Sequence, residues 1–227
     1  MSKLIVGNWK LNPLTAQEAI ALASKLQVVS RHAVVVCPPT PFISLVKYPY
    51  LGAQDCSAQI KGAYTGQVSP AELASLGVSY CIVGHSERRA MGETDQDVCE
   101  KITALLNYKI TPILCVGFGT KFEQDELEVM DVLKAQIAQS IGDNDPGKIV
   151  VAYEPVWAIG SKHAATPDHA EKVGLYIKMK HRVRQALYGG SVNSTNASGF
   201  LEQPHVDGLL IGGSSLLPDD FNKIISL

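Results

Sequence analysis

A glutamate, a histidine and a lysine in this chain stand where apolar segments end. Glu154 closes the run KIVVAYEP and is followed at once by Pro155; His85 follows SYCIVG; Lys10 follows KLIVGNW, with Asn8 two residues before it. Further on, two Gly-rich turns, YGGSV and IGGSS, close two more apolar runs. A carboxylate withdrawn from water becomes more basic and can take a proton from carbon next to a carbonyl. A neutral imidazole near a helix N-terminus can donate to the carbonyl oxygen, and an ammonium places positive charge beside a developing enediolate. Glycine turns let backbone N–H groups approach an anion such as a phosphate, and Ser191 adds a hydroxyl donor. Singly, each group has a plainer use: a capped carboxylate, a satisfied turn histidine, a solvated lysine, a tight turn. Their joint value depends on the fold bringing them to one place.

Eight strand-length apolar runs recur: KLIVGN, AVVVCPP, YLGAQD, SYCIVGHS, TPILCVG, KIVVAYEP, QALYGG and GLLIGG. Each ends in Gly, Pro or a polar residue. Helical patterns lie between several of them. Thr15-x-x-Glu18 and Ser69-Pro70-x-Glu72 predict capping boxes. Val98, Ile102 and Leu105 predict one buried helical face, with Leu106 beside it; Leu127, Met130, Leu133 and Ile137 predict another. Thr166-Pro167 and Pro218 open two more helices. Continuous apolar strands alternating with helices, without a linker, imply parallel βα units buried on both faces. An open doubly wound sheet also fits. The count of eight, the modest length and the absence of GxGxxG after the first strand favour an α/β class single (β/α)8 barrel, one domain spanning 1–227. In such a barrel the active site gathers at the carboxyl ends of the strands, where Asn8, Lys10, His85, Glu154 and both Gly-rich turns stand.

The apolar fraction is 46% and the formal net charge is -2, with no basic run, so no nucleic-acid partner is expected. The opening MSKLIVGNWK lacks the pattern of a signal peptide, and no apolar run approaches bilayer length. The five cysteines form no CxxC and read as buried reduced thiols in a cytoplasmic protein. The six histidines show no metal-ligand spacing, so a metal-free site is expected.

GNWKLN, GAQ, GAYTGQVSP, GHSERR, PILCVG, AYEPVWAIG, YGGSV and DGLLIGGSSL occur in that order between residues 7 and 216. In these motifs the sequence resembles the triosephosphate isomerase family, over nearly the whole chain. The resemblance implies reversible isomerisation of dihydroxyacetone phosphate and glyceraldehyde 3-phosphate without a cofactor. It implies Glu154 as base, His85 as neutral electrophile, Lys10 as cationic stabiliser, Asn8 on the electrophilic side and Glu87 as a supporting carboxylate beside His85. It further implies a lid from Pro155 to Ala165, with Gly160, Ser191, Gly212 and Gly213 gripping the phosphate. KGAYTGQVSP resembles the family's dimer loop with Thr65 at its tip, which implies a homodimer.

Four departures stand out against the family pattern. Residues 167–188 form a shorter stretch, which trims the region around helix 6. SERRAMGE lacks one residue before Gly92-Glu93. Phe118 replaces the acid usual after CVG, and SKHAATP alters the lid at Lys162, His163 and Ala164. None removes a catalytic residue. A sugar-phosphate epimerase barrel would want metal-binding His and Asp at strand ends, which are not found. A catalytically silent barrel with a binding or structural role would have lost the Lys, His or Glu, and all three are present.

Overall fold

The computed structural model describes residues 2–158 and 165–227. Eight parallel strands form a closed barrel in chain order: β1 (Leu4–Asn8), β2 (Ala33–Cys37), β3 (Leu51–Ala53), β4 (Val78–Val83), β5 (Thr111–Val116), β6 (Val150–Tyr153), β7 (Gln185–Tyr188) and β8 (Gly208–Ile211). Strand β8 pairs with β1, Leu4 opposite Gly208, and closes the ring. A Cβ at Gly208 would lie 1.8 Å from the Leu4 carbonyl oxygen, so the closure needs glycine there. Alternate strand residues face two cores. Leu4, Val6, Ile82, Ile113 and Leu187 belong to the cluster filling the barrel; Ile5, Val36, Val83, Leu114 and Val151 pack in the larger cluster with the helices. Burial on both faces is why the strands read as unbroken apolar runs.

The helices are α1 (Ala16–Ser24), α2 (Pro70–Ser75), α3 (Ser86–Ala90), α4 (Asp95–Asn107), α5 (Glu126–Ile141), α6 (Pro167–His181), α7 (Ala197–Leu201) and α8 (Pro218–Ile225). Both expected capping boxes form, at Thr15 and Ser69, and Thr166 caps α6. Helix α4 buries Val98, Ile102 and Leu105 as read. Helix α5 corrects its reading: Val129, Leu133 and Ile137 face the core, while Leu127 is 73% exposed and Met130 is only partly buried. The i, i+4 series through Leu133 and Ile137 starts at Val129, which leaves Leu127 and Met130 off its line. Helix α6 runs 15 residues, so the brevity of 167–188 falls on the link: Arg182 turns the chain at φ 54, and only residues 182–184 precede β7. A second economy lies between β2 and β3, where a 3-10 turn at Thr40–Phe42 takes the place of an α-helix. Among the described residues no helix is long and apolar enough to cross a membrane.

Candidate active site

Asn8 ends β1 and is buried, and its Oδ1 accepts the Lys10 N–H at 3.0 Å. That bond helps hold Lys10 at φ 53, a left-handed conformation costly for a residue with a Cβ. Gln54, just after β3, adds a second support, its Nε2 donating to the carbonyls of Lys10 at 2.8 Å and Cys37 at 3.0 Å. The strained backbone turns the Lys10 side chain over the barrel mouth. There its Nζ meets Glu87 Oε1 at 2.6 Å, and its Cε lies 3.3 Å from where a Cβ on Gly212 would sit.

His85 follows β4 and caps α3; its Nδ1 accepts the Glu87 N–H at 3.2 Å. Its Nε2 lies 3.1 Å from Glu154 Oε1. An Nδ1 that accepts cannot carry a proton, so the hydrogen bonds assign a neutral ring with Nε2–H donating to Glu154. Burial opposes charge on this ring, but the Glu154 carboxylate outweighs it and raises the pKa of His85 above the ordinary histidine value in this arrangement. The value therefore depends on where the Glu154 carboxylate stands.

Glu154 follows β6 and is 2% exposed. Its N–H donates to the Val116 carbonyl at 2.7 Å, and its Oε2 accepts the Ser86 N–H at 3.2 Å. Two glycines make room for it. A Cβ on Gly117 would lie 2.5 Å from the Glu154 carbonyl oxygen, and one on Gly189 would lie 3.0 Å from its Cγ. Beneath it in the barrel is Cys115, whose thiol pKa is pushed up by burial and further by Glu154.

These groups line one cavity of about 350 Å³, with Asn8, Lys10, His85 and Glu154 facing Ser191 and the turns at Gly189–Gly190 and Gly212–Gly213. Seven of the expected residues thus converge there. Glu87 stands outside the lining and reaches the site through Lys10. Ser191 Oγ donates to the Ala158 carbonyl at 2.6 Å, joining the β7 turn to the segment after Glu154. Gly160 and the altered positions Lys162, His163 and Ala164 lie outside the described residues. Thr65 sits in an exposed stretch, 61–67, away from the cavity lining. Around the missing residue in SERRAMGE, Gly92 turns at φ 101; the Glu93 carboxylate accepts the Gly84 N–H at 3.1 Å. Among the described residues no group of three or more His, Cys, Asp or Glu is placed to hold a metal ion.

Gln54, Ser86, Gly117 and Gly189 were missed as positioning residues in the sequence reading. The available signal was glycine directly after a strand, at Gly117 and Gly189, and the polar Gln54 that ends GAQ directly after β3.

The chain matches the family model described as triosephosphate isomerase over residues 3–227. Curated relatives named triosephosphate isomerase include one from Caldanaerobacter subterraneus subsp. tengcongensis, 39% identical over 247 residues. Another from Herminiimonas arsenicoxydans is 42% identical over 243, and one from an Azoarcus species is 43% identical over 242. Each alignment covers 98% of this chain and 98% of the relative. The first runs over 247 positions against a chain of 227, so at least 20 of those positions are absent from this chain. A closed eight-stranded barrel, the cavity at its carboxyl mouth and these matches agree: the chain belongs to the triosephosphate isomerase family.

Proposed function

We propose that this triose-phosphate isomerase interconverts dihydroxyacetone phosphate and D-glyceraldehyde 3-phosphate with Glu154 as the base. Glu154 removes a proton from the carbon beside the carbonyl, His85 donates Nε2–H to the carbonyl oxygen, and an enediolate results. The protonated Glu154 then returns the proton to the neighbouring carbon while the oxygens exchange theirs through His85. One proton moves between two carbons, so the chemistry calls on no redox partner. Lys10 holds positive charge over the enediolate oxygen and the phosphate, and Asn8 fixes the Lys10 turn. Glu87 orients both Lys10 and His85. The backbone at Gly212 and Gly213, with Ser191, binds the phosphate, and Gly160 closes on it from the lid.

The observation that carries this reading is the buried pair of Glu154 Oε1 and His85 Nε2, 3.1 Å apart, at one side of a cavity whose other side is glycine turns and an ammonium. An acceptor of carbon-bound protons and a donor to oxygen are held together without water between them. A homodimer is part of the proposal: Leu11 and Leu14 after β1, Tyr64 after β3 and Met91 after α3 are exposed apolar side chains on loops at one end of the barrel. Thr65 would enter the second copy there. The proposal also takes 1–227 as one barrel domain working in the cytoplasm.

The test is a coupled assay with glyceraldehyde 3-phosphate on wild type and Glu154→Gln. Glutamine keeps the shape but cannot accept the proton, and the expected loss in kcat is roughly 10²–10⁴-fold or more. Equal rates in the two proteins would end the assignment of the base to Glu154.

A further inference from the structure

Behind Glu154, on the outer side of β6, three rings meet. Tyr153 immediately precedes the base and points the other way, into the core under the helices. Its hydroxyl lies 3.0 Å from Nε2 of His169. His169 stands in the first turn of α6, its N–H capped by Thr166 Oγ1 at 3.2 Å. The same imidazole meets the Trp157 ring edge-on, centroids 6.2 Å apart, and Trp157 meets Phe122 at 5.2 Å. The Trp157 indole N–H is buried with no hydrogen-bond partner among the described residues. None of these residues lines the active-site cavity; His169 and Trp157 line a separate one of about 220 Å³.

We infer that His169 is a positioning residue of this isomerase. One side chain touches the residue before the base and the third residue after it. It also sits four residues beyond Ala165, whose N–H donates to the Tyr188 hydroxyl at 3.0 Å. The His169 ring therefore ties Trp157, before 159–164, to α6 after it, while Ala165 is held separately by Tyr188. Tyr153 is 2% exposed, so its hydroxyl has little water to turn to if His169 is lost. Freed to seek another partner, Tyr153 would shift the strand end, and Glu154 with it. The charged groups around His169 are Glu126 on α5, Asp168 and Lys172 on α6, and Lys121 at the rim of the second cavity. Burial lowers the His169 pKa, with Lys172 acting alongside and Glu126 and Asp168 against, so the ring is neutral at neutral pH. The Tyr153–His169 bond then joins two neutral groups, and an uncharged amide can replace the ring.

The inference rests on Glu154 as base, and the experiment separates the two. Steady-state kinetics and thermal unfolding are compared for wild type, His169→Leu, His169→Gln, Tyr153→Phe and Glu154→Gln. Small misplacements of a reacting group cost up to about 10²-fold, so His169→Leu is expected to lower kcat about tenfold with KM within about twofold. His169→Gln, whose amide can meet the tyrosine hydroxyl, is expected to recover kcat to within about threefold of wild type. A merely structural role would instead lower the folded fraction and leave kcat per folded enzyme unchanged. Wild-type kcat in folded His169→Leu, or equal losses in the Leu and Gln variants, would overturn the inference. If His169→Leu does not fold, Tyr153→Phe removes one end of the same bond: a several-fold loss in kcat supports the inference and a wild-type kcat overturns it. Failure of the base assignment shows elsewhere, as wild-type turnover in Glu154→Gln.

Discussion

Gly117, in the turn after β5, stands against the main chain of Glu154 so closely that a methyl group there would lie 2.5 Å from the Glu154 carbonyl oxygen. The glycine also holds φ 113, outside the range open to other residues. Gly117→Ala therefore moves either its own turn or Glu154. We expect kcat to fall at least about tenfold and stability to fall by roughly 1–3 kcal/mol. Assay and chemical denaturation of the same preparation check both, and unchanged kcat would show that Glu154 tolerates displacement.

Lys10 should show the opposite balance. Its φ of 53 is a strain held for the sake of where its ammonium lies. Lys10→Gly removes the charge and a left-handed penalty of roughly 1–2 kcal/mol, offset in part by roughly 0.5–1 kcal/mol of glycine's chain entropy. Activity is expected to fall by at least about 10²-fold, while the unfolding midpoint stays at or above that of wild type. A clear drop in the midpoint would mean that the contact with Glu87 stabilises the fold more than the strain costs.

Titration of His85 reports the position of Glu154. Burial alone would lower this histidine, and the Glu154 carboxylate raises it above 6.5. In Glu154→Gln, burial and Lys10 remain and outweigh the smaller opposing effect of Glu87, so His85 should titrate below 6.5 by NMR. The linkage has a definite sign. A raised folded value contributes stability that is full below the unfolded value of about 6.5 and is lost as pH rises through the folded value. Glu154→Gln should thus forfeit more of this contribution at about pH 5.5 than at about pH 8. Equal losses at both would show that the pair is not coupled through His85.

Under α4, Lys101 Nζ pairs with Asp55 at 2.7 Å and with Glu93, whose side chain is 4% exposed. Burial lowers the lysine pKa, and its two carboxylate partners more than restore it. Lys101→Met leaves Glu93 with little compensation, and a stability loss of about 3–5 kcal/mol is expected by urea unfolding. A loss below about 1 kcal/mol would mean that Arg88, 3.0 Å from Asp55, takes over the pairing.

All eight strands are legible because burial on both faces leaves unbroken apolar runs, and the polar residues that end several of those runs line the candidate site. Asn8, Lys10, His85 and Glu154 could be read because each breaks an apolar context. Gln54 and Gly117 could not, because their contribution lies in contacts with segments distant in sequence: Gln54 with Lys10, Gly117 with Glu154. Leu127 and Met130 misled because several phases of α5 offer apolar residues, and only packing against the barrel selects the one through Val129. The connection at 38–50 carried a signal that went unused. Four of its residues, Pro38, Pro39, Pro41 and Pro49, are proline, and since proline is tolerated only in a helix's first turn or past its end, they confine any helix there to about two turns.

That connection also decides how the ring comes apart. Strands β2 and β3 share one paired position, Val36 with Leu51, where β1 and β2 share five. A closed belt parts at its weakest buckle, and amide exchange should reach Val36 and Leu51 before the other strand centres. Once parted, the molecule is an open eight-stranded ribbon running from β3 through β8 to β1 and β2, with every other seam intact. Lys10 still hangs beside the β8 turn and His85 beside Glu154, so the two halves of the site separate only as far as the ribbon uncurls.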